Sequence, residues 1–276
     1  MAQAWSSDDS PPVLPIGAAG WVRILLRAIP LALLVFGGLG VLLIVRLFEA
    51  VICGKARPVT PHITQRVCRL ALVILGITYR SVGAPMDGGG AVVANHVSWL
   101  DIFALNARKR IYFVAKSEVA GWPGIGWLAR ATGTLFIKRA RNEAVEQVSL
   151  LKTRLAFGHR LLFFPEGTST DGFQVLPFKS TLFAAFFDHA LRDELAVQPV
   201  TVIYRAPKGA DPRFYGWWGD MEFGTHLLTT LAAKRQGGVT VVYHPPVQLS
   251  DFADRKALAK ALETTVRAGL DSHRGA

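Results

Sequence analysis

The sequence predicts an α/β fold: a mixed, largely parallel sheet flanked by helices, preceded by an N-terminal membrane-anchoring helical segment. Three observations predict it. From about Arg80 onward, short apolar runs of strand length alternate with helix-length stretches, the pattern left by helices that cross over between parallel strands. Chemistry-bearing residues follow directly after two of those runs, where the carboxyl ends of strands collect functional groups in such sheets. The first third of the chain is different, being long apolar sequence broken by basic clusters. With 51% hydrophobic residues and a mean hydropathy of +0.30, the composition is high for a chain that never meets a membrane.

Residues 1–20 are rich in Ser, Asp and Pro and read as a flexible tail. Residues 21–80 read as anchoring helices. Ala28–Val45 holds no charge and sits at the lower edge of spanning length. Its Pro30, Gly37, Gly38 and Gly40 are tolerated in membranes, and no small-x-small cleavage site follows it. Val67–Ile77 is too short to span and suits an amphipathic helix lying in the interface. The cations Lys55, Arg57, Arg66 and Arg69 between and around these segments put this side in the cytoplasm, whereas Arg23 and Arg27 on the other flank allow a helix that only dips into the leaflet. Residues 81–276 form the third unit. Its strands are expected at Ala91–Asn95, Ile111–Ala115, Thr134–Ile137, Leu161–Phe164, Val197–Ile203 and Val239–Tyr243. Its helices are expected at Trp99–Arg108, Asn142–Phe157, Thr181–Leu191, Thr225–Lys234 and Ala253–Gly269. Ala210–Phe223, with Tyr215, Trp217 and Trp218 among glycines, reads either as an aromatic loop at a membrane interface or as a packed loop.

A net charge of +11 suits an anionic partner, whether an acidic bilayer surface or a phosphate-bearing substrate. Nucleic acid is not expected, because no helix-turn-helix, zinc-finger or RNA-binding pattern occurs. The two cysteines, Cys53 and Cys68, demand no disulfide, and no metal site is expected. Gly121–Gly126 does not follow the dinucleotide pattern and no Walker-type loop occurs. No Gly-x-Ser-x-Gly elbow supports a serine hydrolase.

Two constellations carry chemistry. Asn95-His96-Val97-Ser98-Trp99-Leu100-Asp101 sets an imidazole and a carboxylate five residues apart after a strand. On an ideal helix the two would stand roughly 140° apart, so they meet only if His96 lies in the turn and folds back over the helix start, with Ser98 as N-cap. A carboxylate-held histidine is a general base; Asp101 alone could equally cap the helix. Phe163-Phe164-Pro165-Glu166-Gly167-Thr168 ends a strand in a carboxylate, a flexible glycine and a hydroxyl, which either line a ligand site or form a plain turn. Gly133–Arg139 ends another strand in two cations, and Val197–Val200 begins one with a proline.

In this order and spacing the four segments resemble the glycerolipid acyltransferase family, whose best-known bacterial members acylate lysophosphatidic acid. The resemblance runs from about Ala91 to Val200. It implies the glycerol-3-phosphate acyltransferase-like fold, His96 as base, Asp101 as the carboxylate that orients it, and an acceptor pocket shaped by Phe136, Arg139, Glu166, Gly167 and Thr168. It also makes residues 81–276 the acyltransferase domain and implies a place at the bacterial inner membrane. Where typical lysophosphatidate enzymes carry an arginine after Glu-Gly-Thr, this chain has Ser169, which cannot replace a guanidinium's charge. Arg139 and Lys179 could partly compensate. The run Glu166–Gly172, then Leu176-Pro-Phe-Lys179-Ser180, Trp217–Met221 and His244-Pro245-Pro246, resembles the lyso-ornithine lipid acyltransferases. The implied partners are a lysolipid acceptor, an acyl carrier protein or coenzyme A thioester as donor, and an anionic membrane surface, with no resident cofactor. Lysophosphatidic acid is the alternative acceptor, and a non-catalytic membrane-surface adaptor is the alternative outside enzymes.

Overall fold

Along β2 (Gly90–Ala94), Ala91 and Val93 pack into one apolar cluster and Val92 and Ala94 into another, on opposite faces of the sheet. A strand buried on both faces has no need of polar alternation, which is why it reads as a continuous apolar run. The computed structural model describes residues 5–7, 15–122, 124–137, 144–187 and 195–273. Within them, in chain order, lie α1 (Ala18–Cys53), α2 (Thr60–Leu75), β1 (Thr78–Val82), β2, α3 (Asp101–Arg108), β3 (Tyr112–Lys116), α4 (Ile125–Thr132), β4 (Leu135–Ile137), α5 (Ala144–Ala156), β5 (Arg160–Phe163), β6 (Ala196–Arg205), α6 (Phe223–Ala232), β7 (Gly238–Tyr243), β8 (Val247–Gln248) and α7 (Arg255–His273).

The strands join in the order β1-β7-β6-β2-β5-β3-β4, with β8 added beside β6. Strands β6, β2, β5, β3 and β4 are parallel, while β7 and β8 run antiparallel to β6. The sheet is therefore mixed and largely parallel. Helices α2, α3 and α6 cover one face through Leu72, Leu75, Leu105 and Leu231. Helices α5 and α7, with the 3-10 turn Ser180–Phe187, cover the other through Leu151, Phe183, Phe186, Leu258 and Leu262.

Helix α1 extends well beyond the uncharged stretch that marks it in sequence, reaching about 54 Å at 1.5 Å per residue. It is long and apolar enough to cross a membrane. Its buried residues Gly20, Ile24, Leu31, Leu42 and Glu49 share one face, whereas Leu25, Leu26, Ile29, Leu33, Phe36, Ile44, Leu47 and Val51 are exposed on the other. The charges lie on the protein side. Arg23 Nε donates to the Ala232 carbonyl at 2.6 Å, and Arg27 Nη1 to Leu231 and Ala233 at 2.7 and 2.6 Å, so both cations close the carboxyl end of α6. Glu49 reaches across to α2, accepting from Val59 N (2.6 Å), Thr60 N (3.1 Å) and Thr60 Oγ1 (2.6 Å). It thereby satisfies amides that the start of α2 leaves open.

Several elements differ from the sequence expectation. The edge strand β1, the two-residue β8 and the short α4 were not expected; each is too short, or too mixed in polarity, to show a period. Helix α3 begins at Asp101, not Trp99. The segment expected as a helix over Thr181–Leu191 forms a 3-10 turn to Phe187, with 188–191 outside the described residues. Around Tyr215 and Trp218 the aromatic loop is packed, both rings being buried, which decides between its two readings. Cys53 and Cys68 are both free thiols.

Candidate active site

Asn95 ends β2 by imitating one more ladder residue. Its Nδ2 donates to the Val202 carbonyl at 2.9 Å and its Oδ1 accepts from Val202 N at 2.8 Å. Both bonds are buried, so β2 is held to β6 up to its last residue and the backbone of His96 is free to turn away.

Within that turn, His96 Nδ1 lies 2.8 Å from Asp101 Oδ2. The same oxygen accepts from Val97 N at 2.8 Å and Ser98 N at 3.1 Å. Asp101 thus does both things left open by its spacing: it satisfies turn amides and it grips the imidazole. Ser98 lies two residues ahead of the regular helix, but its bonds are those of the expected cap: its hydroxyl accepts from Leu100 N at 3.3 Å and its amide donates back to the Asp101 carboxylate. With an ionised carboxylate at Nδ1, that nitrogen carries the proton and Nε2 is left as an acceptor. The Asp101 side chain is fully buried, while the His96 side chain keeps 23% of its surface exposed. One end of the pair is locked and the other is open.

Three neighbours fix the imidazole further. Its ring stacks on Phe164 with centroids 4.0 Å apart and planes 12° from parallel. His96 N donates to Glu166 Oε1 at 2.7 Å, and the His96 carbonyl accepts from Thr170 N at 2.9 Å. The loop after β5 therefore clamps the turn after β2 from above. Gly167, at φ +74°, makes the tight corner that allows this, closed by its amide on the Phe164 carbonyl. The other oxygen of Glu166 accepts from Leu176 N at 2.8 Å. Burial pushes its carboxyl up to about 8, against the lowering pull of the two amides. Glu166 is thus a buried strut between two loops, with neither oxygen facing an open cleft.

The remaining expected residues scatter. Thr168 Oγ1 accepts from Trp5 N at 3.4 Å, and the Ser169 hydroxyl donates to the Trp217 carbonyl. Trp217 N in turn donates to the Val97 carbonyl at 2.9 Å, so the aromatic loop closes over the His96 turn. Lys179 is half-buried, its amide bonded to the Pro165 carbonyl at 3.0 Å. Phe136 sits on β4, three strands from β2, a lateral separation of about 14 Å at the usual strand spacing. Arg139 lies outside the described residues. Among the described residues no group of three His, Cys, Asp or Glu side chains could hold a metal ion.

Two partners were not expected. Thr170, fully buried, follows Ser169 directly and bonds the His96 carbonyl. Tyr204, on β6, turns a buried hydroxyl toward Asp101, whose Oδ1 takes none of the turn amides. No local motif announces Tyr204; only the pairing of β6 with β2 brings it there.

The arrangement provides an imidazole held at Nδ1 by a buried carboxylate, with Nε2 open, at the carboxyl end of a parallel strand. It can accept a proton from a hydroxyl and return it to a leaving group. Comparison with known proteins identifies the family. Residues 77–203 match the family model described as Acyltransferase. The chain is 57% identical over 266 residues to a lyso-ornithine lipid O-acyltransferase of Rhodobacter capsulatus, covering 96% of each chain. It is 30% identical to a 1-acyl-sn-glycerol-3-phosphate acyltransferase of Neisseria meningitidis, over 72% of this chain and 76% of that one. In fold it is similar to the crystal structure of the 1-acyl-sn-glycerophosphate acyltransferase of Thermotoga maritima, with a TM-score of 0.67 and 24% identity over 93% of this chain and 97% of that one. The chain belongs to the glycerolipid acyltransferase family and is an acyltransferase.

Proposed function

We propose that this enzyme moves a fatty acyl group from an acyl thioester to the free hydroxyl of lyso-ornithine lipid, giving ornithine lipid, at the cytoplasmic face of a bacterial inner membrane. In this reading His96 Nε2 takes the hydroxyl proton as the oxygen attacks the thioester carbonyl. The tetrahedral intermediate collapses, the carbon–sulfur bond breaks, and the thiolate leaves with the proton returned by His96. Asp101 holds the tautomer and stabilises the imidazolium between the two transfers. Coenzyme A and acyl carrier protein both fit as donors, since both are anionic and the chain carries +11.

The single observation that carries the reading is the 2.8 Å His96–Asp101 pair with one ring nitrogen left open. Membrane attachment is supported by the continuous apolar face of α1, whose charges are turned inward; a helix packed along the protein in this way lies in the interface instead of crossing it. On the acceptor, Ser169 spends its hydroxyl on the Trp217 carbonyl and offers no charge to a phosphate, which favours a zwitterionic aminolipid over lysophosphatidic acid. Competition between lyso-ornithine lipid and lysophosphatidic acid for one labelled acyl thioester tests this. Ornithine lipid is expected as the main product, and exclusive use of lysophosphatidic acid contradicts the acceptor assignment.

A further inference from the structure

At the end of the sheet opposite His96, a cleft of about 440 Å³ is lined by Arg46 of α1, Lys55 and Arg57 of the α1–α2 connection, and Ser149, Thr153 and Arg154 of α5. Glu146 is the one carboxylate in its wall. The cations are held by the fold. Arg57 Nη1 donates to the Ala131 carbonyl at 2.8 Å. Arg154 donates to His159 Nδ1 at 2.7 Å and to the Gly133 carbonyl at 3.0 Å. His159 and Gly133 precede strands β5 and β4, whereas His96 and Glu166 follow strands β2 and β5, so the cleft and the active site lie at opposite sheet edges.

Arg46 is paired with Glu49 at 3.3 Å, whereas Arg57 and Arg154 have carbonyl and imidazole partners that orient their guanidiniums without neutralising them. Burial, with Arg57 and Arg46 adding repulsion, pushes the Arg154 guanidinium down to about 10, and Arg57 is lowered by burial and Arg46. Arg57 is also the one non-glycine residue with positive φ, at 52°, among the described residues, a conformation that persists only where the surroundings impose it. An anion in the cleft would relieve the repulsion.

The neighbourhood indicates which anion. Beside the cleft, the last turns of α1 and the start of α2 expose Leu47, Phe48, Val51, Ile52 and Val59, with Val51 at 87% and Ile52 at 80%. Fixed cations and hydroxyls next to bare aliphatic side chains match an amphiphile: phosphate in the cleft, acyl chains along α1. We propose that this cleft binds the phosphate head group of an anionic phospholipid, fixing the carboxyl end of α1 at the bilayer surface. The proposal rests on the interfacial reading of α1 given above.

Flotation of the full chain with vesicles of phosphatidylcholine alone, and of phosphatidylcholine mixed with phosphatidylglycerol, tests it. Thr153→Glu with Ser149→Glu places carboxylates in the cleft from the α5 positions that line it. Thr264→Glu, an exposed threonine on α7, changes charge elsewhere as the control, and Lys55→Gln is an independent second variant. Wild type and control are expected to bind acidic vesicles alike, and the cleft double variant roughly tenfold or more weakly, with Lys55→Gln between them. Binding to neutral vesicles is expected to be equal for all. Retention of acidic-vesicle binding by both cleft variants, or equal loss in the control, overturns the proposal. A raised KM for acyl-coenzyme A in the cleft variants with vesicle binding intact also overturns it, by assigning the cleft to the soluble donor's phosphates. A wild-type chain that binds neither vesicle contradicts the membrane reading itself.

Discussion

Asp101 serves three groups with one oxygen: Oδ2 takes the imidazole and two turn amides. Its Oδ1 is buried without a hydrogen-bond partner among the described residues, as is the nearby Tyr204 hydroxyl, whose pKa burial and Asp101 raise. Tyr204→Phe is expected to lower kcat by about tenfold with KM little changed, the scale of losing one interaction of about 1 kcal/mol beside the buried carboxylate. Lower kcat with KM and melting temperature unchanged separates this positioning role from packing, and a kcat equal to that of wild type would make Tyr204 a packing residue. At this scale the sequence was legible where residues act through neighbours in the chain. His96 and Asp101 lie five apart and a single turn unites them. Ser169 was legible as a departure but not in its use, which depends on a carbonyl 48 residues away. Tyr204 was hidden for the same reason.

Among the elements, α1 and α2 pack tightly at Gly38, where a side-chain carbon would come within 2.6 Å of Val67 Cγ2. Gly37, on the exposed face, has open space. Gly38→Leu should destabilise the helix pair by about 1–3 kcal/mol, the usual range for overpacking, whereas Gly37→Leu should not; melting of both variants in detergent checks this, and equal melting would refute the close contact. A second device couples α6 to the active-site turn. Trp99 Nε1 donates to His226 Nδ1 at 2.9 Å, and burial pushes the His226 imidazole down to about 4. Protonation thus favours the unfolded chain, so this group's stabilising contribution is present above pH 6.5 and is lost as pH falls from there toward 4. His226→Gln, which can still accept from Trp99, is expected to flatten the fall of melting temperature across that window, and an unaltered slope would contradict the assignment. Strand β1 shows why some elements were missed. Thr78–Val82 is a half-exposed edge strand carrying Arg80, directly after an apolar helix, so neither alternation nor a continuous apolar run marks it. Central strands such as β2 and β5 were readable because both of their faces are covered.

At the scale of the whole molecule, the sheet separates two tasks. Its carboxyl edge carries His96 and the loops that clamp it, and its amino edge carries the basic cleft at the end of α1. Helix α1 packs on α2 and α6, so the long apolar helix is built into the fold and not attached by a linker. The alternation of strands and helices made this architecture readable; the inward turn of Arg23 and Arg27 was not, because the carbonyls they cap belong to residues more than two hundred positions later. The central claim is that one open imidazole nitrogen, held by a buried carboxylate, performs the acyl transfer. Single-turnover acyl transfer from a thioester to lyso-ornithine lipid by purified His96→Ala, beside wild type at equal vesicle binding, tests it most directly. The account predicts a loss of about 10²–10⁴-fold, the usual worth of general-base assistance, with vesicle binding and melting unchanged; transfer at a rate close to wild type would contradict it.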